Sequence, residues 1–218
     1  MRRISIILIA IVVLVNIGIG MVVFLWPGSV RSLLSGNGWS QSQDQFAQCR
    51  ATSVAGGAAA IGGPFELIDH TGKRVTNVEV IDRPTLLYFG YTYCPDVCPL
   101  DTYRNAEAVS LLAERGLEVK PAMITIDPTR DDPETLRAFV EYLHEDMVGL
   151  TGSEAEIKAA IKAYRVYAAK NGEGENYLMD HSTFTYLMAP DYGFLEYFDR
   201  DVTPENMAER VACFVDKL

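Results

Sequence analysis

The run Thr85-Leu86-Leu87-Tyr88-Phe89-Gly90-Tyr91-Thr92-Tyr93-Cys94-Pro95-Asp96-Val97-Cys98-Pro99 decides the fold. Its first half is almost continuously apolar, as suits a central strand covered on both faces. Its second half places two cysteines four positions apart, just where a helix should begin and run from about Pro99 to Arg115, with Gly116 as the stop. A helix start offers free backbone N–H groups and the positive end of a dipole, and both favour the thiolate form of cysteine.

Downstream, Val119–Ile126 reads as a second buried strand. Asp132-Pro133-Glu134 supplies an N-cap, a proline at the first helical position and an acidic first turn, so a helix is expected to about His144. Leu136, Phe139, Tyr142 and Leu143 are expected to line its inner side. Ser153-Glu154-Ala155-Glu156 is a capping box for a third helix, to about Tyr164, with Ile157 and Ile161 on one face. Arg165–Met179 reads as a hairpin or long loop around Asn171-Gly172-Glu173-Gly174. Strands follow at Phe184–Ala189 and Phe194–Phe198 across the turn Pro190–Gly193, and Thr203-Pro204-Glu205 caps a closing helix carrying Met207, Val211, Phe214 and Val215.

Upstream, Phe65–Ile68 and Arg74–Val80 read as a hairpin across Asp69–Gly72. This order is an α/β layer arrangement. With thiols at the first strand-to-helix turn, it suggests a thioredoxin-like domain with an N-terminal β-hairpin extension, over residues 64–218.

Residues 1–26 are different in kind. Ile4 to Trp26 carries no charge and is long enough to cross a bilayer core of about 30 Å as a helix rising roughly 1.5 Å per residue. Arg2 and Arg3 precede it, which holds the N-terminus in the cytoplasm and sends the domain into the periplasm. A cleaved signal peptide is the competing reading, disfavoured by the length of the run and by Trp26-Pro27-Gly28 after it. Residues 27–63 are small and polar and read as a tether, which as a fully flexible coil would span on the order of 35 Å. Phe46 and Ile61 would gain by packing on the domain.

The net charge of −10 argues against a nucleic-acid partner, which requires clustered Lys and Arg. Four cysteines are too few for a disulfide-dense scaffold. Cys94 and Cys98, at i and i+4, converge on one face if helical turns begin near Cys94, and a thiolate pair is a soft site suited to Cu(I). A static disulfide and a structural zinc stay open at this point, zinc being disfavoured for want of a second close ligand pair. Cys49 in the tether and Cys213 in the closing helix are candidates for a disulfide, or Cys213 for a small buried residue. Of the histidines, His70 and His144 read as surface residues, whereas His181 stands before an apolar strand where a loop could meet the cysteines.

Three segments then resemble, in order and spacing, the motifs of the Sco/SenC family of membrane-anchored copper proteins: Gly90–Pro99, Thr125-Ile126-Asp127-Pro128-Thr129-Arg130-Asp131, and Asp180-His181-Ser182-Thr183-Phe184. The resemblance extends over roughly Gly62–Leu218 and includes the N-terminal anchor. It implies a thioredoxin-like domain that binds one copper, as Cu(I) and possibly Cu(II), through Cys94, Cys98 and His181. It further implies delivery of that copper to the dinuclear centre on subunit II of cytochrome c oxidase, after loading by an upstream donor. Tyr93 stands where many members carry His and is given no ligand role. Asp180 is a candidate to orient His181, the alternative being a turn cap. Asp127 and Asp131 read as a strand-to-helix turn in preference to a docking site. A thiol-disulfide oxidoreductase using Cys94 and Cys98 alone is the alternative function, and a peroxidase or redox sensor a weaker one.

Overall fold

The computed structural model describes residues 45–218. The expected anchor at Ile4–Trp26 and the first part of the tether lie outside the described residues. Among those described, no helix is long and apolar enough to cross a membrane.

The apolar run becomes β3 (Thr85–Gly90), every residue of which is buried. On one side it pairs in parallel with β4 (Lys120–Thr125), in a register running from Thr85 opposite Lys120 to Gly90 opposite Thr125. On the other it pairs antiparallel with β8 (Thr185–Ala189). Beyond β8 lies β9 (Gly193–Phe198), and beyond β4 lies β5 (Val148–Thr151). The hairpin of β1 (Glu66–Asp69) and β2 (Arg74–Thr76) joins through β1, antiparallel to β5. The seven-stranded sheet therefore runs β2-β1-β5-β4-β3-β8-β9. Parallel strands at its centre require crossover helices, and these cover it on both faces.

The principal helices are α2 (Val97–Glu114), α3 (Pro133–Leu143), α4 (Glu154–Ala163) and α5 (Pro204–Val215), with a single turn, α1, at Asn77–Val80. Leu86 of β3 joins Val109 and Leu112 of α2 and Val211 and Phe214 of α5 in one apolar cluster. Leu87 and Phe89 join Ile157 and Ala160 of α4, with Tyr164 just beyond it, in another. Residues adjacent in a strand feed opposite faces because the side-chain period is two.

Three expectations change, and a fourth, the hairpin over Arg165–Met179, is found and extends further than expected. The strand read over Arg74–Val80 stops at Thr76, because Thr76 and Glu79 form a capping box that starts α1. On α3, Leu136 and Val140 are the buried pair, and Tyr142 is 90% exposed rather than inward. β5 has no counterpart in the sequence reading: Val148-Gly149-Leu150-Thr151 is too short and too interrupted by glycine to show a period, and its place between β1 and β4 makes it a strand. The segment Arg165–Met179 resolves into a separate two-stranded sheet of β6 (Ala168–Asn171) and β7 (Leu178–His181), which takes in His181 itself.

Residues 45–63, read as the end of the tether, lie on the domain. Phe46 and Cys49 are buried, and Phe46 packs against Phe214 with ring centroids 5.7 Å apart. The Ala51 N–H donates to the buried Glu196 carboxylate at 2.7 Å, Thr52 donates its hydroxyl to the same group, and Arg210 closes an ion pair with it at 3.0 Å. Cys49 and Cys213 form a disulfide with a Cα separation of 5.6 Å, inside the usual range of about 4.4–6.8 Å.

Candidate metal centre

At the C-terminal end of β3 the chain turns through Tyr91–Asp96 and enters α2 at Val97, two residues earlier than the sequence indicates. Pro99 then occupies the first turn, where a missing N–H costs nothing. Asp96, at the N-cap, makes no side-chain cap bond. The sulfur of Cys94 accepts instead, from the Cys98 N–H at 3.3 Å. Convergence of the two sulfurs thus comes from a loop residue capping a helix, not from two residues of one helix as the spacing suggested.

Both thiols are free; Cys98 is fully buried and Cys94 half-buried. The Cys98 thiol donates to Cys94 and, aided by the backbone N–H groups of Cys98, Asp96 and Val97, brings Cys94 down to about 5, against the opposing effect of burial. The same hydrogen bond, then burial, pushes Cys98 strongly up. Gly90 makes room for this arrangement. A Cβ there would stand 2.6 Å from the Tyr88 ring and 3.1 Å from Cys98 Sγ.

His181 arrives on β7 with Nε2 3.3 Å from Cys98 Sγ. Its Nδ1 faces the Ser182 carbonyl at 2.8 Å. A carbonyl only accepts, so Nδ1 carries the hydrogen, and in the neutral ring Nε2 presents its lone pair to the sulfur. Asp180 does not take the orienting role considered for it. It is exposed and accepts from Asn171 Nδ2 at 3.1 Å, across the β6–β7 ladder. Side chains alternate along a strand, so Asp180 and His181 point to opposite faces. Tyr88 and Tyr91 stand edge-on to the imidazole, with centroids 6.1 and 6.0 Å away.

The second motif ties these parts together. Buried Asp131 accepts from the Thr92 N–H (3.0 Å), the Thr92 hydroxyl (2.6 Å) and the Thr125 hydroxyl (2.6 Å), joining the cysteine loop to β4. Burial raises its pKa, partly offset by those donors. Asp127 accepts from Tyr177 at 2.7 Å and from Arg130 Nε at 2.5 Å, and Arg130 in turn donates to the Tyr177 carbonyl at 3.0 Å. The Arg130 guanidinium lies 3.6 Å from the Tyr177 ring centre and 4.8 Å from that of Tyr93. Tyr91 adds a bond from the Met179 N–H at 3.1 Å. The turn reading of Asp127 and Asp131 was therefore too local, since both reach across to other elements. Arg130, Tyr177 and Tyr91 have no assigned role in the sequence because their contacts with one another's elements span tens of residues and leave no periodic signal, and Ser182 has none because it acts through its backbone carbonyl, which residue type does not mark.

His70 and His144 serve their own neighbourhoods, each accepting a backbone N–H through Nδ1, from Gly149 and Asp146 respectively. A cleft of about 320 Å³ opens over the site, lined by Tyr91, Cys94, Val97, Met179 and His181 among others. Among the described residues, no three His, Cys, Asp or Glu side chains already form a closed metal-holding group. The donor chemistry fits a soft ion nonetheless. A sulfur and a nitrogen 3.3 Å apart could both bind one ion at lengths of about 2.3 and 2.05 Å, taken from zinc, with an angle near 100°.

The SCO1/SenC family model matches residues 53–216. Protein SenC of Rhodobacter capsulatus is 52% identical over 176 residues, 80% of this chain and 79% of that protein. The structure of Arabidopsis thaliana ScoI with copper bound is 39% identical and superposes with a TM-score of 0.68 over 71% of this chain and 98% of that one. Bradyrhizobium japonicum ScoI with copper bound is 40% identical, with a TM-score of 0.64 over 70% and 98%. The fold is thioredoxin-like, and the chain belongs to the SCO1/SenC family.

Proposed function

We propose that this domain carries one copper ion on Cys94, Cys98 and His181 and hands it to the dinuclear copper centre on subunit II of cytochrome c oxidase. The observation that carries the reading is the approach of His181 Nε2 to Cys98 Sγ, with the Cys94 sulfur held over the Cys98 N–H. Two sulfurs and an imidazole suit Cu(I), and Cu(II) to a lesser degree. Three ligands facing an open cleft leave room for an incoming ligand, as a cargo site requires. The copper-bound relatives support copper as the ion. In this reading Ile4–Trp26 anchors the chain in the cytoplasmic membrane, the domain faces the periplasm, and an upstream donor loads it. The test is anaerobic titration of the reduced full chain with Cu(I), with X-ray absorption at the copper edge. One copper per chain with a mixed sulfur and nitrogen shell is expected; a shell without nitrogen, unchanged by His181→Ala, would overturn the three-ligand site.

Thiol-disulfide exchange is a second reading, favoured by the thiolate character of half-exposed Cys94. Cys94 would attack a partner disulfide and Cys98 would resolve the mixed disulfide, its proton passing to the departing thiolate. Trapping a mixed disulfide with Cys98→Ser tests it.

A further inference from the structure

This chain of net charge −10 has six lysines. Lys73 and Lys120 are ion-paired with Glu79 and Asp82, and Lys217 is next to the C-terminal residue. The other three, Lys158, Lys162 and Lys170, line one groove of about 720 Å³. All three are exposed, and none has an ion-pair partner among the described residues. Lys158 and Lys162 stand one turn apart on α4, while Lys170 comes from β6 and lies 3.9 Å from the Tyr177 ring centre. Between them the floor is apolar, including buried Ile157 and half-buried Ile161 and Met179. Two carboxylates also line the groove. Asp127 is engaged by Arg130, which leaves Glu154 against three ammonium groups.

Half of an acidic protein's lysines gathered unpaired around an apolar floor is a local reversal of charge. It favours an occupant that brings carboxylates and apolar side chains together. Met179 lines both this groove and the cleft over Cys94 and His181, so an occupant lying along the groove reaches the thiols. We infer that the groove between α4 and the β6–β7 hairpin docks an acidic segment of a partner protein, with an apolar side chain on the Ile161–Met179 floor and carboxylates on Lys158, Lys162 and Lys170. The inference stands on the groove alone and does not need the copper reading.

The test uses the full chain in neutral detergent micelles and three fluorescent peptides, one of glutamate and leucine, its lysine-for-glutamate counterpart, and one of glutamate and glycine. Fluorescence anisotropy should show the glutamate–leucine peptide binding about tenfold or more tightly than either other, and weakening as salt rises. Combined Lys158→Glu, Lys162→Glu and Lys170→Glu should lower that affinity at least about tenfold, whereas Lys217→Glu leaves it unchanged and arginine at the three positions restores it. Circular dichroism checks that the variants fold. Equal binding of all three peptides, no binding of the first, or indifference to the lysine changes overturns the proposal. Displacement by short-chain phosphatidylglycerol, or self-association in sedimentation that blocks the peptide, assigns the groove to lipid or to a second copy and overturns it too.

Discussion

Cys98 Sγ and His181 Nε2 stand 3.3 Å apart across a separation of 83 residues, and the Ser182 carbonyl holds the imidazole with Nε2 toward the sulfur. One side of the candidate site is therefore formed before any ion arrives.

Replacing His181 by alanine should lower Cu(I) affinity by at least about 100-fold, the upper end of what losing even a supporting group costs a metal site. Competition against a chromophoric Cu(I) chelator measures this. Reduction of a model disulfide by the same variant should stay near the parent rate, because that chemistry needs only the thiols. Loss of both activities together would mean that His181 acts through the thiols.

Arg130→Ala tests the link between the second motif and the hairpin. It removes the bonds to Asp127 and to the Tyr177 carbonyl but leaves Asp127 with the Tyr177 and Thr129 hydroxyls. A stability loss of about 1–3 kcal/mol is expected from the buried carboxylate alone. Copper affinity should fall about 10–100-fold, as when supporting contacts of a ligand are removed. If stability falls and affinity does not, the hairpin is placed by other contacts.

The Cys94 thiol, brought down to about 5 by the Cys98 hydrogen bond and the backbone donors, should alkylate with iodoacetamide at a nearly constant rate above neutrality and slow as pH falls through about 5. Its folded pKa lies below that of a cysteine in the unfolded chain, about 9, so the linked stability is fully present above that value and is lost as pH falls through the folded one. The reduced, copper-free protein should gain resistance to urea between about pH 5 and 9. A rate that instead rises through about pH 8.5, as for an ordinary thiol, would contradict the arrangement.

Cutting the Cys49–Cys213 link with the double serine variant opens a loop closed over a separation of 164 residues. Chain entropy puts the cost at about 5 kcal/mol, and loss of a native disulfide typically costs about 2–5 kcal/mol. Urea unfolding should record it, with copper stoichiometry unchanged because neither cysteine touches the site. A loss well under 1 kcal/mol would mean that Phe46 and the Glu196 network hold the segment unaided.

Elements with strong local signals were legible in the sequence. Near-continuous apolar runs marked β3 and β4, and N-cap residues with proline or a capping box marked α3, α4 and α5. β5 was not legible, because its four residues become a strand only between two others. Cys94 and Cys98 were legible from their spacing at a strand-to-helix turn and the softness of sulfur, whereas the choice of His181 as their partner came from motif resemblance.

The sequence by itself determined the α/β order, the thiols at the first strand-to-helix turn and the charge of the chain. These follow from side-chain period, backbone capping and residue type, all of which act over a few neighbouring positions. Only the tertiary structure decided that Cys94 caps the helix of Cys98, that Ser182 rather than Asp180 faces His181 Nδ1, and that Cys49 meets Cys213. Each depends on a distance of a few ångströms between groups that distant parts of the chain, or the turn of a strand, bring together, and packing sets such distances.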